Sequence, residues 1–409
     1  MNLSFFIARR GFTSKKAGFS SFIIRLAVTA TAISIAVMVI AVAVIQGFKF
    51  EIREKIFSFW GHIIVTNYSP NASDLILTEP ILYDQDLVNR IASVNSVKSV
   101  NPFIMRPAII KTKDAMEGLR LKGINANFTL ANKIKLNGSP IQFSDSDYTK
   151  QIIVSQSTVD KLNIEIGNEV QLYFIEKGNT APRIRKVKVV GIFHSGMEEV
   201  DKTYVLCDMR LLQRINGWTP QDINGYQIDL ADSKNMEGAA EIIFNNYLEA
   251  PLHAYTMKEI YANVFDWLEL QNINAKIVLI IMAIVATINL AVAILILIVE
   301  QARLIGILKS LGMLFSKIMH IFLFYATYIA FMGIVLGNLI ALSLCWLQVK
   351  FGFIKLNEAT YYMSQVPIKI NFWDIVLIDL ATLVFCILFM WLPGLYIKRI
   401  QTVKVIQFK

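Results

Sequence analysis

The sequence predicts an α-helical membrane protein with four transmembrane helices and a large α+β extracytoplasmic domain between the first two. Three observations carry that reading. Mean hydropathy is +0.50 over 409 residues, high for a chain that folds in water. Apolar runs recur at Phe22 to Ile45, Ile277 to Val299, Ile318 to Leu347 and Trp373 to Tyr396, each reaching the roughly 20 residues that cross a hydrocarbon core as a helix. Between the first two runs lies a stretch of mixed polarity, long enough for one or two domains of about 100 to 200 residues each.

Charge sets the orientation. No acid precedes Glu51, yet Arg9, Arg10, Lys15, Lys16 and Arg25 stand at or near the start of the first run. Arg303, Lys309 and Lys317 mark the turn between runs two and three, and Lys398, Arg399, Lys404 and Lys409 mark the tail. The connection between runs three and four has only Lys350, Lys355 and Lys369. Basic residues favour the cytoplasmic side, so both termini and the 299–318 turn are expected inside and the large domain outside. The net charge of +9 is then a topology signal rather than a nucleic-acid footprint, and no nucleic-acid partner is expected.

The expected division is 1–21 as a cytoplasmic or interfacial helix, 22–47 as span one, and 48–272 as the outer domain. Residues 273–299 form span two, 300–316 a cytoplasmic helix, 317–347 span three, 348–372 a short outer loop, 373–396 span four and 397–409 a cytoplasmic tail. The opening LSFFIARRGF suits a short helix with its basic side at lipid headgroups, and serves equally as a positive flank. The first run continues for more than 20 residues without a small-x-small site, so it reads as an uncleaved anchor.

Within the domain, HIIVTNY reads as a strand stopped at Pro70. DQDLVNRIASV spaces Leu87, Ile91 and Val94 as a helix behind an Asp cap. FIMRPAIIK, LRLKGI, QIIVSQ, IGNEVQLYFIE and TYVLCD read as strands, and RIRKVKVVGIF alternates as a half-buried strand does. STVDKLNI, MRLLQRING, KNMEGAAEIIFNNYL and TMKEIYANVFDWLELQ read as helices, the last leading into span two. Cys207 is alone in the domain, so no internal disulfide supports it.

Enzyme motifs are lacking. His62, His194, His253 and His320 form no HExxH pair, and neither a GxxxxGK[ST] loop nor a GxSxG elbow occurs. No metal site and no cofactor of its own are expected. In the spans, Gly333 and Gly337 form a GxxxG pair that permits close helix approach, expected within one subunit. Asp379 lies about two turns into span four, where a carboxylate is costly unless it meets protein or water. Asp374 beside Trp373 marks the interface there, which favours a partly hydrated residue near the outer leaflet over a charge lining a cavity. Trp346, Tyr361, Tyr362 and Trp373 suit an aromatic belt.

The segment VEQARLIGILKSLGM, Val299 to Met313, is charged, briefly amphipathic, and closed by Gly312. Leu304, Ile307, Leu308 and Leu311 are expected on one face, with Glu300, Arg303 and Lys309 on others. Such a helix lies flat in headgroups or inserts into a groove of a soluble partner; pattern alone favours the flat arrangement.

This segment resembles the coupling segment of the MacB/FtsX superfamily of ABC transporter permeases. Lys309-Ser310-Leu311-Gly312 is similar to its [KR]-[AS]-L-G close, Glu300 and Arg303 to its start, and Gly333 and Gly337 to its glycine-rich third span. Within the superfamily the chain resembles the LolC/LolE lipoprotein-releasing subunits. The similarity covers FFIARRGFTSKK, IQGFKFEIREKIFSFWGHIIV, VVGIFHSGMEEVDKTYVLCD, NVFDWLELQ and the Tyr-Tyr…Pro of TYYMSQVPI, almost end to end. Two departures stand out: IQTVKVI lacks the tail proline common in the family, and the Glu176 to Lys186 hairpin is short where chaperone-contacting members carry a longer hook.

The resemblance implies a MacB-like, type VII transporter architecture in the bacterial inner membrane. It implies cytoplasmic ABC ATPase subunits that hold ATP and Mg, a second permease subunit identical or similar to this one, lipoprotein cargo, membrane lipid and a periplasmic lipoprotein chaperone. It gives coupling to Glu300, Arg303, Leu304, Gly306, Leu308, Lys309, Leu311 and Gly312. It gives a lipid or cargo cavity to Val42, Gln46, Phe48 and Phe265, and chaperone contact to Lys177, Arg183 and Arg185. The rivals are an FtsX- or MacB-like permease that transmits force to another periplasmic partner, and a membrane-anchored binding receptor.

Overall fold

The computed structural model describes residues 19–70, 79–130, 134–144, 147–175, 182–357, 361 and 363–389. Most of the expected N-terminal helix, Lys177 with the tip of its hairpin, Tyr362, the end of span four and the tail lie outside the described residues.

The chain opens with α1 (Phe19–Trp60), then β1 (Ile63–Asn67), β2 (Ile81–Leu82), α2 (Gln85–Ala92), β3 (Val97–Lys111), β4 (Met116–Ile124), β5 (Lys135–Gly138) and β6 (Gln151–Ser155). There follow α3 (Gln156–Leu162), β7 (Glu169–Phe174), β8 (Arg183–His194), α4 (Glu198–Thr203), β9 (Tyr204–Asp208), α5 (Met209–Asn216), β10 (Asp222–Ile223), β11 (Gly225–Leu230) and α6 (Met236–Tyr247). The last elements are β12 (Leu252–Thr256), α7 (Met257–Ile260), α8 (Ala262–Glu300), α9 (Ala302–Ser310), α10 (Phe315–Phe351) and α11 (Phe372–Phe389). The helices α1, α8, α10 and α11 are each long and apolar enough to cross a membrane.

Two compact units divide these elements. One is the domain, Phe50–Trp267 with Leu356–Gln365; the other takes the described parts of Met1–Lys49, Leu268–Lys355 and Val366–Lys409. In the domain a ten-stranded mixed sheet runs β12-β1-β11-β3-β4-β9-β6-β8-β5, with β7 paired to β3 and β8. Local chemistry accounts for its parts. Along β8, Val187, Val189 and Phe193 are buried while Lys186 and Lys188 are exposed, the period of two of a half-buried strand. Strand β9 is buried at all five residues, as a strand covered on both faces must be. The Asp84 and Asp208 side chains cap α2 and α5 by accepting from the backbone N–H of Asp86 and Arg210. Gly217, at φ +69°, ends α5 in the left-handed conformation that glycine adopts at least cost. Thr256 and Glu259 form a capping box at α7, and Tyr261 separates that short helix from α8.

In the membrane unit α10 packs on α1. A Cβ at Gly333 would lie 2.7 Å from Thr31 Cγ2, and one at Gly337 would lie 2.7 Å from the Ala32 carbonyl oxygen. The backbone of α10 therefore lies directly on α1, against the Thr31 side chain and the Ala32 backbone, the close approach a GxxxG pair permits. Ile294, Leu297 and Ile298 of α8 share a buried cluster with Ile321, Phe322 and Ile329 of α10. The loop after α10 is held by Gln348, whose amide donates to the Ile354 and Val366 carbonyls and accepts from the Ile354 N–H. Lys369 N–H donates to the Ala43 carbonyl at 3.0 Å, and Gly47 packs directly on the Pro367 backbone.

Candidate functional site

Helix α9 is a bent continuation of α8. Only Gln301 separates them, and backbone bonds cross the bend from Gln301 N to Leu297 O and from Ile305 N to Gln301 O, each 3.0 Å. The Gln301 side chain is also hydrogen-bonded to Tyr325 of α10. At its other end α9 closes with a Schellman pair: Gly312 N–H reaches Lys309 O and Met313 N–H reaches Leu308 O, both at 3.0 Å. Gly312 has φ +79°, and Leu308 and Met313 pack side by side against the buried cluster. The part of Gly312 is thus conformational, since it lets the chain turn out of α9 and into α10.

The expected apolar face is corrected. Of Leu304, Ile307, Leu308 and Leu311, three share the exposed surface and Leu308 packs inward. Ile305 and Gly306 form the buried side, with Ile305 only 1% exposed and Leu308 packed beside it. Leu304, Ile307 and Leu311 point outward, and Leu311 reaches 77% exposure, with Leu314 exposed just beyond. Glu300 and Arg303 are exposed, while Lys309 is half-buried. A helix whose inner face is fixed and whose outer face is an apolar stripe edged by charge is suited to seating in another molecule's groove.

The residues expected to line a cavity separate. Val42, Gln46 and Phe48 are half-buried in α1, with Val42 packed against Ile35 and Val39's cluster. Phe265 belongs instead to the domain unit, buried 6.1 Å from Phe57 and beneath the Arg53 guanidinium, so it lines no lipid-facing surface of this chain. The expected chaperone contacts also change. Arg183 and Arg185 sit within the ladder, opposite Phe174 and Leu172, rather than on a hairpin tip. Arg183 donates to the Ile215 carbonyl at 2.5 Å, a cation bound at the last turn of α5.

Two features escape sequence reading. Asp201, buried, accepts from Ser195 Oγ at 2.6 Å, from the N–H groups of Ser195 and Gly196, and pairs with His194 at 3.1 Å. The Ser195 proton is committed to the carboxylate rather than to the imidazole, so this is a turn clasp and not a catalytic relay. The second is Lys122, only 1% exposed. Its Nζ donates to Phe59 O at 2.5 Å and to Gln227 Oε1 at 2.7 Å, with the Phe59, Trp60 and Phe128 rings 4.6 to 5.2 Å away. Phe59 lies in the final turn of α1, whose carbonyls lack helical partners, so Lys122 caps that helix end within the domain. Burial pushes its ammonium down to about 7, against the pull of Asp229.

Residues 26–243 match the MacB-like periplasmic core domain, and residues 276–402 match the FtsX-like permease C-terminal region. The chain belongs to the MacB/FtsX superfamily of permeases. The permease is similar along nearly its whole length to LolC and LolE transmembrane proteins of lipoprotein-releasing systems. It is 22% identical to LolC of Xylella fastidiosa (strain 9a5c), covering 97% of this chain and 96% of the relative. It is 23% identical to LolC of Neisseria meningitidis serogroup B, over 90% of each. It is 21% identical to LolE of Haemophilus influenzae, over 99% of each. The first match covers most of the inserted domain and the second the helices that follow it, and the permease is a transport subunit rather than an enzyme.

Proposed function

We propose that this permease is the membrane subunit of an ABC transporter that extracts lipoproteins from the bacterial inner membrane and passes them to a periplasmic chaperone. A separate cytoplasmic ATPase binds ATP and Mg and supplies the work. A second permease subunit, identical or similar, completes the membrane part, and both termini of this chain are cytoplasmic. The observation that carries the reading is α9: its inner side is anchored by Ile305 and Gly306 while Leu304, Ile307 and Leu311 stand exposed. On the cytoplasmic side, that stripe fits a groove on the ATPase.

The energetics explain why a motor is needed. Burial in the bilayer holds each acyl chain by about 0.8 kcal/mol per CH2. A lipoprotein with several chains therefore does not leave unaided. Closure of the ATPase moves α9, and because α9 is a bent extension of α8, the movement enters span two directly. The half-buried Val42, Gln46 and Phe48 of α1 are the surface offered to lipid or cargo. Arg185 remains the chaperone-contact candidate among the described residues, with Lys177 eight residues before it in sequence.

Lipoprotein retention in the inner membrane after Glu300→Lys and Leu304→Asp tests the reading. Retained cargo in both variants is expected. Normal sorting in both, with the variants present at wild-type levels, contradicts it and favours a receptor that merely uses the spans as an anchor.

A further inference from the structure

Asp379 is the sole Asp, Glu, Lys, Arg or His within the cores of the four apolar helices. Between Arg25 and Lys49 on α1, Lys276 and Glu300 on α8, and His320 and Lys350 on α10, the sequence contains no charged residue or histidine. On α11 only Asp374, near the helix start, accompanies it. Asp379 stands about 10 Å along the axis from Phe372, taking 1.5 Å per residue. It is not merely hydrated, as its position alone suggested: Asn338 Nδ2 of α10 donates to Asp379 Oδ2 at 2.7 Å.

The remaining oxygens of the same two side chains pose a problem. Asp379 Oδ1 and Asn338 Oδ1 are both buried, and among the described residues neither has a hydrogen-bond partner. Two acceptors left unsatisfied in a water-poor setting are expensive, and an unpaired carboxylate more so. A carboxamide and a carboxylic acid, however, are complementary planar groups. Each can offer one donor and one acceptor, and a single proton supplies what both orphaned oxygens lack. We propose that Asp379 is a neutral carboxylic acid in the membrane, donating from Oδ1 to Asn338 Oδ1 and closing a ring of two hydrogen bonds that clips span four to span three.

The neutral form satisfies both groups and carries no charge into hydrocarbon, so no cation is required on any neighbouring helix. Since α10 also packs on α1 through Gly333 and Gly337, the clip joins span four to the α1–α10 pair. The inference does not depend on which cargo the permease moves.

Infrared spectroscopy of the full-length permease in lipid nanodiscs, with aspartate isotopically labelled, tests this. A protonated-carboxyl band is expected at neutral pH, absent in Asp379→Asn and shifted to higher frequency in Asn338→Leu, where the acid loses its partner. Stability supplies a second readout. Asp379→Asn retains a group able to make both bonds and should leave the melting temperature within about 1 °C, whereas Asp379→Leu and Asn338→Leu should each lower it by about 2 to 4 °C. The absence of a carboxyl band lost in Asp379→Asn, or an Asp379→Asn variant as damaged as Asp379→Leu, overturns the proposal.

Discussion

Lys122 shows how one residue can bind the end of a long helix to the domain it enters. Its pattern in LRLKGI is that of an outward lysine, because Leu119 and Leu121 alternate with Arg120 and Lys122. Strand β4 is paired on both sides, and the end of α1 covers the face on which Lys122 emerges, so the charge is buried. No local signal in the sequence contains that information. The consequence is a pH dependence of known sign. The folded value, about 7, lies below the ordinary lysine value of 10.5. Below 7 both folded and unfolded chains hold the proton, and the full cost of burying it is present. Above 7 the folded chain releases it first, so stability rises with pH until the unfolded lysine also titrates. Thermal melts of the full chain should show that rise, and Lys122→Met should flatten it while losing about 1 to 3 kcal/mol by stranding the Gln227 and Phe59 acceptors. Gly312 is the opposite case, legible from sequence as a closing glycine. Among the described residues, nothing beyond its chain neighbours lies within 4 Å of its would-be Cβ, so Gly312→Ala meets only backbone strain. That strain should cost about 1 kcal/mol, and Gly312→Asn less, as melts of the two variants would show.

At the scale of elements, α9 was legible as an amphipathic helix, but its register against the spans was not. Periodicity groups Leu308 with Leu304, Ile307 and Leu311, whereas the buried side is Ile305 and Gly306, and Leu308, like Met313, packs against the cluster that covers that side. The two sides should respond differently to substitution. Ile305→Ala should cost about 2 to 4 kcal/mol through the cavity it leaves, whereas Leu311→Asp should leave the melting temperature unchanged yet abolish lipoprotein release. The α1–α10 contact makes a similar contrast. Gly337→Ala drives a Cβ into the Ala32 backbone oxygen, while Gly333→Ala meets the Thr31 side chain. Each should destabilise by about 1 to 3 kcal/mol, and melts should show Thr31→Ser relieving part of the Gly333→Ala loss and none of the Gly337→Ala loss. In the domain, the alternation of GYQIDL is that of a half-buried strand, yet β11 is buried at five of its six residues, Gln227 among them as a partner of Lys122.

For the whole molecule, the four apolar helices and the inserted α+β domain followed directly from run length and polarity, because a span must be apolar over its full length whatever its neighbours are. What a linear pattern could not contain was which residues share a surface. Phe265, near the start of α8, resembled a cavity residue, yet it is buried in the domain against Phe57. The long reach of α1 and α8 explains the error, since both helices contribute residues to each unit. The functional reading rests on a motor elsewhere that acts on α9. Photocrosslinking from a probe at position 311 of the assembled complex, with the captured protein identified by mass spectrometry, tests that directly. An ABC ATPase captured at 311, and not from a probe at buried position 305, is the expected result; a complex in which position 311 reaches only lipid or a periplasmic protein would contradict it.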